Sequence, residues 1–303
     1  MAELVRIAPE VQQSLHDGRP VVALETTLIA HGFPPRVGVE VGLAAEARVR
    51  AEGAAPATIG VLGGAVVVGL DEEEIGRFGE AGVDARKAGP RDLAACVAQR
   101  ALGATTVGGT LAACRLTGIR FLGTGGIGGV HRGFAERPDV SADLAELART
   151  QALVVCSGVK SLLDVPATAE LLETLGIPTL SFRADDLPRF YSGAGGPPAS
   201  ARVESAEEAA RIARAHWELG GASLLLGQAP SDGFEVEPLL EEALAAAARE
   251  QVGGPGLTPF VLSFVHERSG GRTLEVNREL VVANAGLAAA TAVAEAAVAS
   301  RPS

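Results

Sequence analysis

The chain has 303 residues, 47% of them hydrophobic, enough to bury a large core as one domain or two smaller ones. Its formal charge is −11, with no basic stripe, which argues against long RNA or DNA as a partner and leaves room for a small anion held by a few placed cations. No run of about 18 apolar residues is free of charge and glycine, and the first residues, MAELVRIAPEVQQSLHDG, show no leader pattern, so a cytoplasmic protein without a membrane span is expected.

The apolar run 20–27, PVVALETT, predicts a strand ending at Glu25, and 37–52 predicts a helix. Residues 58–70 predict a hairpin turning at Gly63-Gly64, and 71–82 a helix whose acidic first turn suits the positive helix start. Helices over 90–102 and 106–117 flank GATT, and Lys87 falls in a turn before the first of them. Residues 118–126 read as a strand running into a glycine loop, and 141–150 as a helix capped by Ser141. A strand over 152–158 leads to Lys160, which is expected to open a helix over 161–176. Then come a strand at 178–183, a loop at 191–202, a helix at 205–219, a strand at 223–229 and helices at 237–250, 258–268 and 274–298. This alternation predicts one α/β domain over 1–303, a mostly parallel or mixed sheet flanked by helices on both faces.

Only two of the 26 cationic residues are lysines, Lys87 and Lys160. Arginine stays protonated, whereas a lysine amine can be freed by its surroundings to act as a nucleophile. Lys160 follows the carboxyl end of a strand, where α/β sheets bind ligands. It reads either as an imine-forming amine or as an ordinary loop-end lysine. Glu25, at the end of another apolar strand, suits a general acid of raised pKa or a carboxylate paired in the sheet. GTGGIGGVHRG at 123–133 contains G-x-G-x-x-G, with Asp143 twenty residues past Gly123. It resembles a dinucleotide fingerprint, but no helix is expected after Gly128, so a glycine loop close to a substrate, with His131 at hand, or a plain tight turn, fits better. Asp139 and Asp143 flank Ser141. They either face one hard cation such as Mg or Mn or belong to a capped helix start. Lys87, with Arg91 and the helix start near 106, suits a phosphate or a solvated turn. Asn277 and Asn284 share a face of the last helix. Cys96, Cys114 and Cys156 fit neither a disulfide framework nor zinc spacing and read as buried thiols.

The stretches ALETTLIAHGFP, APATIGVLGG, GATTVGGT, GTGGIGGVHRG, DVSADLAEL, VVCSGVKSLLD, TPFVLSFVHERSGG and LVVANAGLAA, in this order along the chain, resemble the pseudouridine-5′-phosphate glycosidase family, which includes the indigoidine synthase A-like proteins. The resemblance implies an α/β/α fold, a homotrimer and reversible cleavage of the C–C glycosidic bond of pseudouridine 5′-phosphate to uracil and ribose 5-phosphate. It implies Lys160 as the nucleophile that joins the ring-opened ribose, Glu25 as general acid, and Asp139 as the ligand of a divalent metal, commonly Mn. Lys87, the backbone of Val107, His131, Ser141, Ala142, Asp143, and Asn284 or Asn277 fall on substrate-site positions of the family. The family's Glu-Ser-Thr appears here as Glu25-Thr26-Thr27, its Val-Ser after the substrate lysine as Ala88-Gly89, and its paired asparagines as Ala283-Asn284. The same imine chemistry on another C-ribosyl phosphate, or nucleotide binding without catalysis, are the alternatives.

Overall fold

In the computed structural model, which describes residues 4–252 and 257–299, the chain alternates strands and helices almost throughout. The first half runs β1 (Val5–Ile7), α1 (Pro9–His16), β2 (Val21–Glu25), α2 (Thr27–His31), α3 (Pro35–Ala51), β3 (Ala55–Leu62), β4 (Ala65–Val68), α4 (Glu72–Ala81), β5 (Arg86–Ala88), α5 (Leu93–Ala98), β6 (Gly103–Thr105), α6 (Val107–Thr117), β7 (Phe121–Gly123), β8 (Val130–His131) and α7 (Ala142–Leu147). The second half runs β9 (Leu153–Cys156), β10 (Leu163–Asp164), α8 (Val165–Thr174), β11 (Thr179–Phe182), β12 (Ala201–Val203), α9 (Ala206–Glu218), β13 (Leu224–Gly227), α10 (Glu237–Arg249), α11 (Leu257–Arg268) and α12 (Arg272–Ala299).

The main sheet is mixed. Its parallel centre runs β3-β2-β7-β9-β13-β11-β12, and β4, β1, β5 and β6 extend it beyond β3. Strand residues alternate between two apolar faces, as the period of two demands. Val21 and Ala23 pack on the side of α1, α5, α6 and α7, while Val22 and Leu24 pack on the side of α3, α9 and α12. The same alternation runs through β9, where Val154 and Cys156 take the first side and Leu153 and Val155 the second. This layering is the single α/β domain the alternation of elements predicts. A stretch of α12 is long and apolar enough to cross a membrane, but it packs across β2, β7 and β9 and against α3 and α9, as a core helix.

Several elements differ from expectation, each for a local reason. The hairpin at Gly63-Gly64 forms as expected, both glycines having positive φ. The helix expected from 161 starts at Val165, because Asp164 caps it by accepting the Ala167 N–H and Pro166 occupies its first turn. Lys160 therefore lies in a turn ahead of β10, and no helix dipole acts on it from residue 161. Lys87 is in edge strand β5 rather than a turn, and GATT supplies strand β6; both are three residues long, too short to show a period. His131, expected in a loop, pairs through β8 with Leu163 of β10. The short elements β1, α1 and α2 carry no sequence expectation. The predicted helices at 90–102 and 141–150 shorten to α5 and α7.

The three cysteines are buried, as expected, and burial pushes the thiols of Cys114 and Cys156 up to about 12 and raises that of Cys96. Thiolate is the reactive form, so none of the three is expected to react with a disulfide reagent at mildly alkaline pH until the protein is denatured. Counting thiols before and after denaturation checks this.

Candidate active site

The site lies at the carboxyl ends of β2, β7 and β9, beside the gap between β2, from which the chain turns toward β3, and β7, from which it turns the other way toward β9. Such switch points are where open α/β sheets bind ligands. Beyond their last paired residues, β7 and β9 continue as two hydrogen-bonded loops. The Thr124 N–H donates to Val155, the Ser157 N–H to Gly125, the Ile127 N–H to Gly158 and the Lys160 N–H to Ile127, all carbonyl acceptors at 2.9–3.1 Å. Lys160 is partly buried and is delivered to the sheet edge by this ladder.

Glu25 is 6% exposed. One carboxylate oxygen accepts from the Thr124 hydroxyl, and the other is buried without a protein partner. Burial pushes its pKa above the ordinary carboxylate range, against the smaller pull of the Lys160 charge and the Thr124 hydrogen bond. Lys87 and Asp143 also act electrostatically on Glu25, so the field at this one carboxyl group joins residues from β2, β5, α7 and the β9 loop.

Asp143 is 4% exposed, and its two oxygens accept the N–H groups of Gly108 (2.8 Å) and Gly128 (2.9 Å). It thereby joins the start of α6 to the glycine loop. Thr106 takes the Gly109 N–H, so of the first three N–H groups of α6 these caps leave that of Val107. Ser141 caps α7 by accepting the Asp143 N–H, and Ala142 is the first residue of that helix. Asn284, fully buried on α12, donates to the Thr124 carbonyl (2.8 Å) and the Ser157 hydroxyl (3.1 Å), while its own oxygen is unpartnered. Asn277 stands further from this network, beside Gly125, with its oxygen also buried and unpartnered.

The two carboxylates at 139–143 do not face one cation. Asp143 spends both oxygens on backbone N–H groups, whereas the Asp139 side chain is 62% exposed and stands 3.9 Å from His131 Nδ1. Among the described residues no group of three His, Cys, Asp or Glu side chains is gathered for a metal. The donor set fits a divalent ion that keeps most of its water shell and takes one hard carboxylate oxygen, as Mg and Mn do, and does not fit a closed protein cage. Asp139 would be the residue that holds it.

The glycine loop is no dinucleotide fingerprint: Gly128 leads into β8, not a helix. Its glycines answer close packing. A Cβ on Gly123 would meet the Ala285 backbone at 2.8 Å, one on Gly126 the Phe190 ring at 2.6 Å, and one on Gly128 the Ser141 hydroxyl at 2.3 Å. Thr26, at a family serine position, donates to the Ile59 carbonyl and accepts the Thr105 N–H, and Thr27 donates to the Ala104 carbonyl. Both threonines fasten β6 to the end of β2. The Gly89 N–H is taken by Asp92. Thr124 joins Glu25 to Asn284, which also donates to Ser157, and nothing in the spacing of the two hydroxyl residues sets them apart from other strand-end hydroxyls. The strand-to-glycine junctions in which they lie are the only sequence signal for them.

Fold and site together define an enzyme-like α/β protein whose reactive groups collect at a sheet switch point. The chain belongs to the indigoidine synthase A like protein family, whose pattern matches residues 10–294. It is 42% identical over 299 residues to a pseudouridine-5′-phosphate glycosidase of Caldanaerobacter subterraneus subsp. tengcongensis, covering 97% of each chain. It is 44% identical over 300 residues to one of Herpetosiphon aurantiacus, covering 97% and 98%. Among solved structures it matches the prealnumycin C-glycosynthase AlnA in complex with ribulose 5-phosphate at TM-score 0.91 and 37% identity, covering 99% of both chains. An indigoidine synthase A-like protein of Thermotoga maritima matches at TM-score 0.86 and 36% identity, covering 97% of both.

Two outcomes test the site. Asp143→Ala leaves two buried N–H groups unsatisfied at about 1–3 kcal/mol each, so the midpoint of urea denaturation is expected to fall by an amount equivalent to several kcal/mol. For Glu25, a raised folded pKa means the folded state gives up stability as pH climbs from the ordinary carboxylate range through that raised value. Glu25→Gln is therefore expected to melt higher than the parent by a margin that grows as pH rises from the ordinary carboxylate range through the raised value. Thermal melts across that range read it, and a constant margin would contradict the assignment.

Proposed function

We propose that the chain catalyses reversible cleavage of the C–C glycosidic bond of pseudouridine 5′-phosphate, giving uracil and ribose 5-phosphate. The observation that carries the reading is the pairing of a buried carboxyl of raised pKa, Glu25, with a lysine, Lys160, whose charge acts on it at a sheet switch point. A C-glycoside offers no bridging oxygen to protonate, so the two-carboxylate route of ordinary glycosidases is closed to it. A route through the lysine amine balances. The pyrimidine pushes electrons toward C1′ as the C1′–O4′ bond opens, and Glu25, whose pKa burial raises, gives O4′ its proton. The Lys160 amine then adds to C1′. Uracil C5 takes up, by way of the Glu25 carboxylate, the proton that the amine nitrogen sheds on adding to C1′; the C1′–C5 bond breaks with its electron pair staying on the uracil ring, and the nitrogen lone pair forms the C=N bond of an imine. Water hydrolyses the imine to ribose 5-phosphate and frees the amine; the reverse sequence makes the C–C bond.

Thr124 orients Glu25, and Asn284 holds the Thr124 and Ser157 loops against each other. Lys87 and the Val107 N–H, at the start of α6, suit the phosphate, because a lysine and a helix start both favour an anion. Ser141, Ala142 and Asp143 form the wall facing the glycine loop, with His131 and Asp139 at its outer end. Asp139 would hold a divalent ion, Mn in this reading, which would supply positive charge for an anionic substrate. The working assembly is a homotrimer in the cytoplasm, its partners small sugar phosphates and nucleotides; light scattering tests the stoichiometry. The ribulose 5-phosphate in the AlnA complex favours a second reading, the same lysine chemistry on another C-ribosyl phosphate.

Incubation with uracil, ribose 5-phosphate and Mn is expected to remove the uracil C5–H signal as pseudouridine 5′-phosphate forms. Borohydride is expected to trap one ribose 5-phosphate on Lys160 of the parent and none on Lys160→Arg, with turnover lost. Unchanged turnover in Lys160→Arg would sink the amine mechanism. Trapping without consumption of uracil favours the second reading.

A further inference from the structure

Lys160 lies in a turn, so its amine is only as well placed as the segment that carries it. One side chain and one main-chain carbonyl hold that segment from outside the sheet. Arg132, next to His131, donates to the Ser161 carbonyl (3.1 Å), and the Ser161 hydroxyl donates to the Arg189 carbonyl (3.2 Å). Both arginines converge on one carboxylate. Arg132 donates to both oxygens of Glu237 (2.9 and 3.3 Å), and Arg189 donates to one of them (2.9 Å) with Glu235 3.8 Å from its other nitrogen. Arg189 precedes Phe190, which has φ 60°, donates its N–H to the Ser157 carbonyl and lays its ring on Gly126. Leu162 packs into the apolar cluster of α10 and α11, and Glu237 is the first residue of α10. One carboxylate thus links the β8 loop, the Lys160 turn, the 189–190 segment and a helix.

These are not freely solvated surface pairs. The side chains of Arg132, Arg189 and Glu237 are 34%, 27% and 26% exposed, and Glu237 serves two guanidinium groups, one in a bidentate fork. We propose that Glu237 is a positioning residue for the Lys160 amine, acting through Arg132 and Arg189 on the Ser161 peptide. The inference rests on the reading of Lys160 as nucleophile. Near-attack geometry is steep, a displacement of about 1 Å costing on the order of 100-fold in rate, so a clamp this close to the reacting amine acts on the chemical step more than on substrate affinity.

Glu237→Gln keeps the size of the side chain and removes its charge. Its kcat is expected to fall at least about 10-fold with KM within about 3-fold, and borohydride trapping on Lys160 to slow by the same factor. Glu237→Asp is expected to fall between the two, and Arg132→Gln to add little in the Glu237→Gln background, because the two act as one unit. Independently of turnover, amide hydrogen exchange over residues 157–163 is expected to quicken in Glu237→Gln at unchanged melting temperature. Parent-like kcat, trapping rate and exchange in Glu237→Gln would overturn the proposal; should that variant not fold, Arg132→Gln takes its place with the same two outcomes. If the parent itself neither turns over nor traps ribose 5-phosphate, the functional reading fails, and exchange at 157–163 still decides whether Glu237 clamps the turn.

Discussion

The hydrogen bond from the Lys160 N–H to the Ile127 carbonyl is the last rung of a ladder that begins inside the sheet, with Phe121 beside Leu153. Because β7 and β9 keep pairing after they cease to be regular strands, two loops leave the sheet as one ribbon. The remaining features of the site follow from that ribbon. It must pass under α12 at Ala285, beside the Phe190 ring and against Ser141, and only glycine fits at those crossings. It must also be fastened at its far end, which Asp143 does by accepting the Gly128 and Gly108 N–H groups together. A loop tied this closely is a rigid support, and rigid supports are what precise placement of a reacting group requires.

Burial sets the electrostatic character of the site. The chain carries a net −11, yet the charges that act on Glu25 from the site are mixed: two lysines favour its ionised form and Asp143 opposes it. Desolvation outweighs them and leaves Glu25 with a raised pKa, as suits a proton donor. Asp143, equally buried, is satisfied by N–H donors, so two neighbouring carboxyl groups differ in state: one keeps an unpartnered oxygen and a raised pKa, and the other holds the backbone.

Much of this is legible in the residues alone. Continuous apolar runs and helical patterns mark β2, β3, β9, β13 and the long helices, and the shortage of lysine by itself singles out Lys87 and Lys160. What the sequence hides is short or depends on distant partners. Strands β5, β6, β8 and β10 have two or three residues and exist only because a neighbour pairs with them. The start of α8 is ambiguous in the sequence although Asp164 and Pro166 mark it, because the apolar run through Leu162 and Leu163 reads equally well as helix. The split between Asp139 and Asp143 does not show in their spacing, since it depends on N–H groups up to 35 residues away. The network of Glu237 spans 105 residues to Arg132 and leaves no local trace.

The replacement of lysine by arginine elsewhere on the chain has a chemical consequence. Open-chain sugar phosphates carry an aldehyde that condenses with any accessible primary amine, and guanidinium groups are far poorer partners for that condensation. With side-chain amines only at Lys87 and Lys160, the protein offers such sugars almost no place to attach except where their attachment is productive. Its surface therefore presents such sugars with few side-chain amines to modify.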